Sequence, residues 1–377
     1  MNRHITDKCC VGCLGCKVIC PKDAISDTVT SGFIKPKVNN GLCVDCGLCI
    51  KVCPKDSSIK NNSYSQRAYA VKHNNANILQ KSTSGGAFSA FANYTISVGG
   101  VVYGCEIVAG KVQHMRTEYD FSGMCGSKYV QSALGKTFDN ISKDLIMNKK
   151  VLFTGTPCQC AAIKNYLNIR KISTENLLLV DFICHGVTSP KLYADYIQYY
   201  EKRKKSKISN HIFRSKLRGW TKHTEVNYLT DGGIDWQSYE SQLYKSIFHS
   251  HLGLNDACFE CNFSSLNRVS DITMGDFWGV QKSHPELFDI NGVSFVMINS
   301  NNGEKFFDSC SDIEKHSVSI NDTEQPSLYH PAKKPKVYNQ FWRDYEKKGF
   351  YYIVKKYYRG GRIYRTISDI YHILIRG

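Results

Sequence analysis

The sequence predicts an α+β chain in three parts: a small cysteine-rich module over residues 1–62, a mixed α/β body over 63–330, and a basic helical tail over 331–377. Three observations predict it. Eight of the 17 cysteines crowd between Cys10 and Cys53. From about residue 67, short apolar runs alternate with turns of the kind that open helices. Residues 333–377 carry twelve Lys/Arg against three Asp/Glu, interleaved with Tyr, Phe and Trp.

The first part reads Cys10-Val-Gly-Cys13-Leu-Gly-Cys16-Lys-Val-Ile-Cys20-Pro21. About twenty residues later comes Cys43-Val-Asp-Cys46-Gly-Leu-Cys49-Ile-Lys-Val-Cys53-Pro54. Both halves fit C-x2-C-x2-C-x3-C-P, the run of a bacterial-type diferredoxin with two [4Fe–4S] clusters. Two-residue gaps let three thiolates curl round one cubane, and the three-residue gap carries the fourth cysteine to the other. Cys10, Cys13, Cys16 and Cys53 are therefore assigned to one cluster, and Cys20, Cys43, Cys46 and Cys49 to the other. Pro21 and Pro54 close each loop by fixing φ and removing a donor. Gly12, Gly15 and Gly47 allow backbone to pass close to the cluster. Zinc sites use paired C-x2-C with longer gaps, and a disulfide scaffold needs an oxidising compartment. Cys9 is a ninth thiol beside the run, and the register with Cys13 favours Cys10 as the ligand.

A chain of 377 residues with 42% hydrophobic and 12% aromatic content can bury substantial cores and is not disordered. With no secretory signal and no apolar run of about eighteen residues, the expected location is cytoplasmic. The formal charge of +16 suits nucleic acid, an anionic membrane or an acidic redox partner. No nucleic-acid motif is recognisable, so no nucleic-acid partner is expected.

Asn61 to Gln66 is polar and reads as a linker. Ser84-Gly85-Gly86-Ala87 is a glycine turn opening a helix, with Ser84 as the expected N-cap. Gly99-Gly100 leads into a strand through Cys105, and Lys150–Thr154 is a second strand. Gly155-Thr156-Pro157-Cys158 turns into a helix with Pro157 in its first turn. Leu177–Ile183 is an apolar strand ending in Cys184-His185-Gly186, and Ser189-Pro190 starts a helix to about Lys204. Lys202–Lys207 is its solvated basic end. β-leaning stretches surround Ile212 and Val226, and Gly292–Asn299 is a last core strand. The tail reads as a pair of helices docking an aromatic face, with contact to an anionic membrane or partner surface as the second reading.

Cys158 and Cys184 each end a strand, where loops from a sheet converge, and Cys258-Phe-Glu-Cys261 supplies a pair. These four suit a third [4Fe–4S] cluster, a zinc site, or ordinary buried cysteines.

The chain resembles the coenzyme F-420 hydrogenase/dehydrogenase beta-subunit family behind an added diferredoxin domain. The resemblance spans roughly residues 1–330, with the body split near 165. It is carried by Ser84–Ala87, Gly126-Ser127-Lys128-Tyr129-Val130-Gln131-Ser132, Gly155–Gln159, Cys184–Val187, Cys258-x-x-Cys261 and Asp271–Gly279. It implies an iron–sulfur flavoprotein oxidoreductase that passes electrons between a two-electron partner, deazaflavin or another small molecule, and one-electron clusters. It implies a third cluster on Cys158, Cys184, Cys258 and Cys261. It implies FAD held by Ser84, Gly85, Gly86, Ser127, Lys128, Tyr129 and Ser132, where a helix start and a cation would face phosphate. No catalytic residue is singled out, and no hydrogenase large-subunit ligands are visible. Relatives of the diferredoxin type occur among bacterial polysaccharide-biosynthesis genes. A non-catalytic electron carrier or adaptor of a larger complex is the alternative; either way the partner is a redox protein or small electron carrier.

Overall fold

The computed structural model describes residues 9–55 and 64–358. The amino-terminal module places α1 (Gly15–Ile19) and α2 (Leu48–Lys51) about a hairpin of β1 (Ile25–Thr30) and β2 (Phe33–Val38). Ser31 and Gly32 both have positive φ at the hairpin tip, which matches the twist of paired strands. The body follows as β3 (Arg67–His73), α3 (Ala76–Lys81), α4 (Ala87–Ser97), β4 (Val101–Val108), β5 (Lys111–Thr117) and α5 (Thr137–Ile146). Next come β6 (Val151–Gly155), α6 (Pro157–Arg170), β7 (Leu177–Phe182) and α7 (Pro190–Lys204). After them are β8 (Ile208–Ser215), β9 (Thr224–Leu229), β10 (Ile234–Asp235), α8 (Leu243–His249) and β11 (Ile272–Asp276). The last elements are α9 (Val280–Ser283), β12 (Ser294–Ile298), α10 (Asn301–Ser309), β13 (Ile313–Val318) and α11 (Tyr338–Ile353).

Eight strands make one sheet in the order β13-β3-β12-β11-β7-β6-β4-β5. β4, β6, β7 and β11 run parallel, and antiparallel strands flank them on both sides. Both faces are covered, so β6 and β7 are apolar along most of their length, with polar residues near their carboxyl ends. Val151, Phe153, Leu177 and Leu179 face α5 and α6, where they meet Phe138, Ile163 and Tyr166. Leu152, Leu178 and Val180 face the opposite side, against Phe91 of α4 and Phe307 of α10. That period of two, read on both sides, is what parallel packing requires.

A smaller sheet, β10-β9-β8, packs with α7, α8 and α11 over an aromatic core that includes Tyr193, Tyr196, Phe213, Tyr244, Phe341 and Trp342. The backbone of α11 breaks at Gly349 (φ 77°). The second helix expected in the tail falls largely on residues 359–377, outside the described residues.

The cores cross the boundaries drawn from sequence. Cys13, Cys16, Ile19 and Val52 of the module pack with Phe138 and Tyr166 of the body. Phe33, near the hairpin tip, lies 5.5 Å from Trp342 of α11, centroid to centroid. Residue 165 lies inside α6, between two adjacent strands of one sheet.

One capping expectation is corrected. Gly86, not Ser84, occupies the N-cap of α4, with φ of 85°. The Ser84 hydroxyl instead donates to the Val293 carbonyl at 2.8 Å. Thr156 and Ser189 cap α6 and α7. Among the described residues no helix is long and apolar enough to cross a membrane.

Candidate iron–sulfur and cofactor sites

The parallel strands deliver their carboxyl ends to one edge of the sheet, where open α/β sheets bind ligands. β6 ends at Gly155, and Cys158 follows in the first turn of α6. β7 ends at Phe182, two residues before Cys184. β11 lies parallel to β7 although about ninety residues separate them in sequence, and the loop leading into it carries Cys258 and Cys261.

Cys158, Cys184, Cys258 and Cys261 line one cavity of about 50 Å3. Each sits in a built setting. Thr156 accepts the Gln159 N–H while Gln159 accepts the Thr156 N–H, a reciprocal cap that fixes the start of α6. The Thr156 hydroxyl also lies 3.1 Å from the Cys158 sulfur. Gly186, at φ of 105°, turns its N–H towards the Cys184 sulfur at 3.4 Å; a Cβ there would press on Leu254 and Cys258. Asn255 caps the short 3-10 segment Asp256–Glu260 that holds Cys258.

Burial, then repulsion from neighbouring thiols, pushes the Cys158 and Cys184 thiols well up and Cys258 to about 12. The pairs that repel include Cys158 with Cys261 and Cys184 with Cys258, so all four face a common centre. Such thiols ionise only when a cation compensates them, which is what thiolate ligation of iron supplies. Among the described residues no group of three or more His, Cys, Asp or Glu closes tightly enough to hold a single metal ion. Four cysteines lining one small cavity are a donor set that fits an iron–sulfur cluster. A cavity this small does not fit a flavin, whose sites run to about 300 Å3 and more.

Burial pushes Cys13 up and Cys16 to about 12, with Cys10 and Cys53 as neighbours of both. Cys49 feels Cys46 and Cys43. Gly12 and Gly47 hold positive φ beside these loops. Cys9 stands aside, its sulfur 3.6 Å from a Glu260 carboxylate oxygen.

The residues implied for FAD fall into two places. Ser84–Gly86 and Ser127 come together through Thr83, whose hydroxyl accepts the Ser127 N–H at 3.2 Å. Lys128 is half-buried there, its ammonium donating to the Gly123 and Cys125 carbonyls at 2.8 and 2.7 Å, and partial loss of solvent lowers its pKa. The Tyr129 ring stacks on Phe248 with centroids 4.3 Å apart. Ser132 lies apart from them, at the cysteine cavity, bonded to His114 and Gln159. A Cβ on Gly85 would collide with the Val71 carbonyl and the Ser294 N–H, and one on Gly86 would press on His73. Close packing against β3 and β12 therefore accounts for both glycines.

Several residues beyond those expected complete the region. Arg214 pairs with Asp276 at the end of β11 and lies over the Trp278 ring at 4.7 Å. Trp278 stacks on Trp220, whose indole N–H donates to Asp276 at 2.8 Å. Lys216 donates to the Ser84 carbonyl at 2.8 Å, and burial lowers its pKa to about 8. Lys128, Arg214 and Lys216 thus border the junction of the glycine turn and the Ser127 block, a cationic setting that fits a dianionic pyrophosphate. Arg268 is fully buried and ties Asp181 of β7 at 2.7 Å to the Phe263 carbonyl at 2.9 Å, joining the Cys184 strand to the Cys261 loop. Asp276 and Gln131 stood in motif blocks, whereas Arg214 and Lys216 lie in a stretch with no motif.

Residues 148–324 match the family that comprises the C terminus of the coenzyme F420 hydrogenase/dehydrogenase beta subunit, and residues 36–57 match the 4Fe-4S binding domain. No curated protein matches the chain. Among solved structures, a chain of the xenon-derivatised F420-reducing [NiFe] hydrogenase complex from Methanosarcina barkeri matches at 16% identity. The match covers 71% of this chain and 86% of that chain, with a TM-score of 0.47.

Proposed function

The chain belongs, through residues 148–324, to the coenzyme F420 hydrogenase/dehydrogenase beta-subunit family, behind a 4Fe–4S module, and from that premise we propose that it is an iron–sulfur flavoprotein oxidoreductase. Its partners are a two-electron donor or acceptor, a deazaflavin or another small molecule, and a one-electron redox protein. The observation that carries this is the meeting of Cys158, Cys184, Cys258 and Cys261, from three separate stretches of chain, at one cavity. When bound, a flavin joins two-electron to one-electron chemistry, and [4Fe–4S] clusters carry the single electrons.

The chain's own residues do the holding. The three cysteine sets ligate. Lys128, Arg214 and Lys216 balance phosphate charge beside Ser84–Gly86, Ser127 and Tyr129. Ser132, with His114 and Gln159, stiffens the wall between the flavin region and the thiol cavity. Anaerobic purification followed by iron, sulfide and flavin analysis tests the reading, with about twelve irons per chain expected from three cubanes. Zinc in place of iron, without flavin and without absorbance near roughly 400 nm, sinks it, since thiolate–iron sites absorb there.

The packing role of Gly85 and Gly86 favours a second reading, an electron carrier or adaptor without flavin. Full iron content with no flavin retained after incubation with FAD selects that reading over the first.

A further inference from the structure

The two cysteine sets of the amino-terminal module meet the body unequally. Gln131, 3% exposed, reaches from the body into the module. Its amide oxygen accepts the Ile34 N–H at 2.9 Å, and its amide nitrogen donates to the Val11 and Ile34 carbonyls at 3.1 and 3.3 Å. Gly12 leaves room for this amide, because a Cβ there would collide with the Gln131 nitrogen. From the other side Asn255, 2% exposed, donates to the Cys10 carbonyl at 3.1 Å. Val11, Gln131 and Asn255 all line the cavity of the four body thiols. The Cys10 loop is thus a ligand loop on one side and cavity wall on the other.

The Cys43 loop is the reverse. Cys46 is exposed, Leu42 and Val44 beside it are 52% and 58% exposed, and nothing lies within 4 Å of where a Gly47 Cβ would stand.

We propose that Gln131 and Asn255 are positioning residues that seat the Cys10 loop on the wall of the body's thiol cavity. The set Cys10, Cys13, Cys16 and Cys53 is then the inner one, coupled to the cavity. Cys20, Cys43, Cys46 and Cys49 form the outer set, the one accessible to a soluble one-electron carrier. This rests on the reading that each of the three sets holds a [4Fe–4S] cluster. It adds an order among them and names the residues that impose it.

The test is EPR of the full chain, reconstituted without oxygen and reduced with dithionite. A soluble dysprosium chelate should speed the relaxation of one amino-terminal signal only, and Cys46→Ser should remove that signal. Gln131→Leu should keep the parent's iron and sulfide yet measurably weaken the magnetic coupling between the inner and body signals, as an outer partner that seats a ligand loop would. Asn255→Asp gives an independent reading. It keeps the acceptor for the Ala257 N–H at 3.1 Å and replaces the donor to Cys10 by a repelling oxygen. Equal relaxation of both amino-terminal signals overturns the proposal, as does unchanged coupling in both variants at full iron. A parent chain that takes up no iron fails earlier, at the cluster reading itself, before any variant is made.

Discussion

The module and the body hold thiols by opposite means. In the module, eight cysteines lie within 44 residues around two helices of five and four residues and one hairpin. Its buried apolar residues are few: Ile19, Ala24, Ile25, Phe33 and Val52, with two of the thiols themselves. In the body, two cysteines follow the ends of strands and two sit in the loop before β11, on a frame whose register is fixed by cores on both faces of an eight-stranded sheet. If the proposed clusters form, the module gets its order from what its cysteines bind, whereas the body positions its cysteines before anything binds. Small metal-stapled units fold with their metal, and large cores do not need one.

The largest effect that can break this contrast is iron removal. Chelation under reducing conditions should unfold residues 9–55 while the sheet strands keep their amide protection, read by hydrogen exchange with mass spectrometry. Global loss of protection would show that the body leans on metal as heavily as the module does.

Next in size is Arg268. It is 1% exposed at the side chain and paired with Asp181 at 0%, and its other bonds reach Thr273 and the Phe263 carbonyl. Arg268→Ala strands a buried carboxylate and should cost about 3–5 kcal/mol. The loss should fall on the body and on iron at its thiols, with the amino-terminal clusters retained. Arg268→Lys should rescue little, because a point charge cannot replace the planar fork. Equal loss from both regions would tie their stabilities together.

These residues also mark how much of the molecule was legible. The ferredoxin run could be read because its chemistry is written in local spacing, and the capping signals at Thr156-Pro157 and Ser189-Pro190 were read for the same reason. The third thiol set needed a resemblance to be assembled, since nothing in a linear chain announces that β11 will lie beside β7. Arg214, Lys216 and Arg268 were missed on the same ground, as their partners are 62, 132 and 87 residues away. Ser84 was misread because Gly86 can take the positive φ that starts α4, which frees Ser84 to bond Val293.

A third lever acts on the body through protons. Glu225 on β9 is fully buried, with its carboxylate 3.9 Å from His211 Nε2, and burial raises its pKa from 4.5 to about 8. Below pH 4.5 both folded and unfolded chains hold this proton, so it costs nothing. As pH rises towards 8 the unfolded chain has released it and the folded chain has not, and stability falls. Glu225→Gln should therefore match the parent near pH 4.5 and exceed it at pH 8, by about 1.4 kcal/mol for each unit of pKa separation. A gain of equal size at both pH values would mean that the carboxyl acts through packing rather than charge.

The smallest expected effect tests the contrast at a single helix end. Thr156 caps α6 one residue before Pro157 and two before Cys158. Thr156→Ala removes the acceptor of the Gln159 N–H, at 3.4 Å, but leaves the reverse bond from the Thr156 N–H to the Gln159 side chain, at 3.0 Å. The cost should lie at the lower end of cap losses, about 0.5–1 kcal/mol. Thr156→Ser should recover it, because the acceptor oxygen returns and only a methyl group is lost. If the body's thiols are held in advance by the sheet, that small cost appears in thermal melting of the apo-protein as clearly as in the iron-loaded one. If the body also waits for its metal, the difference between Thr156→Ala and the parent emerges only after iron is supplied.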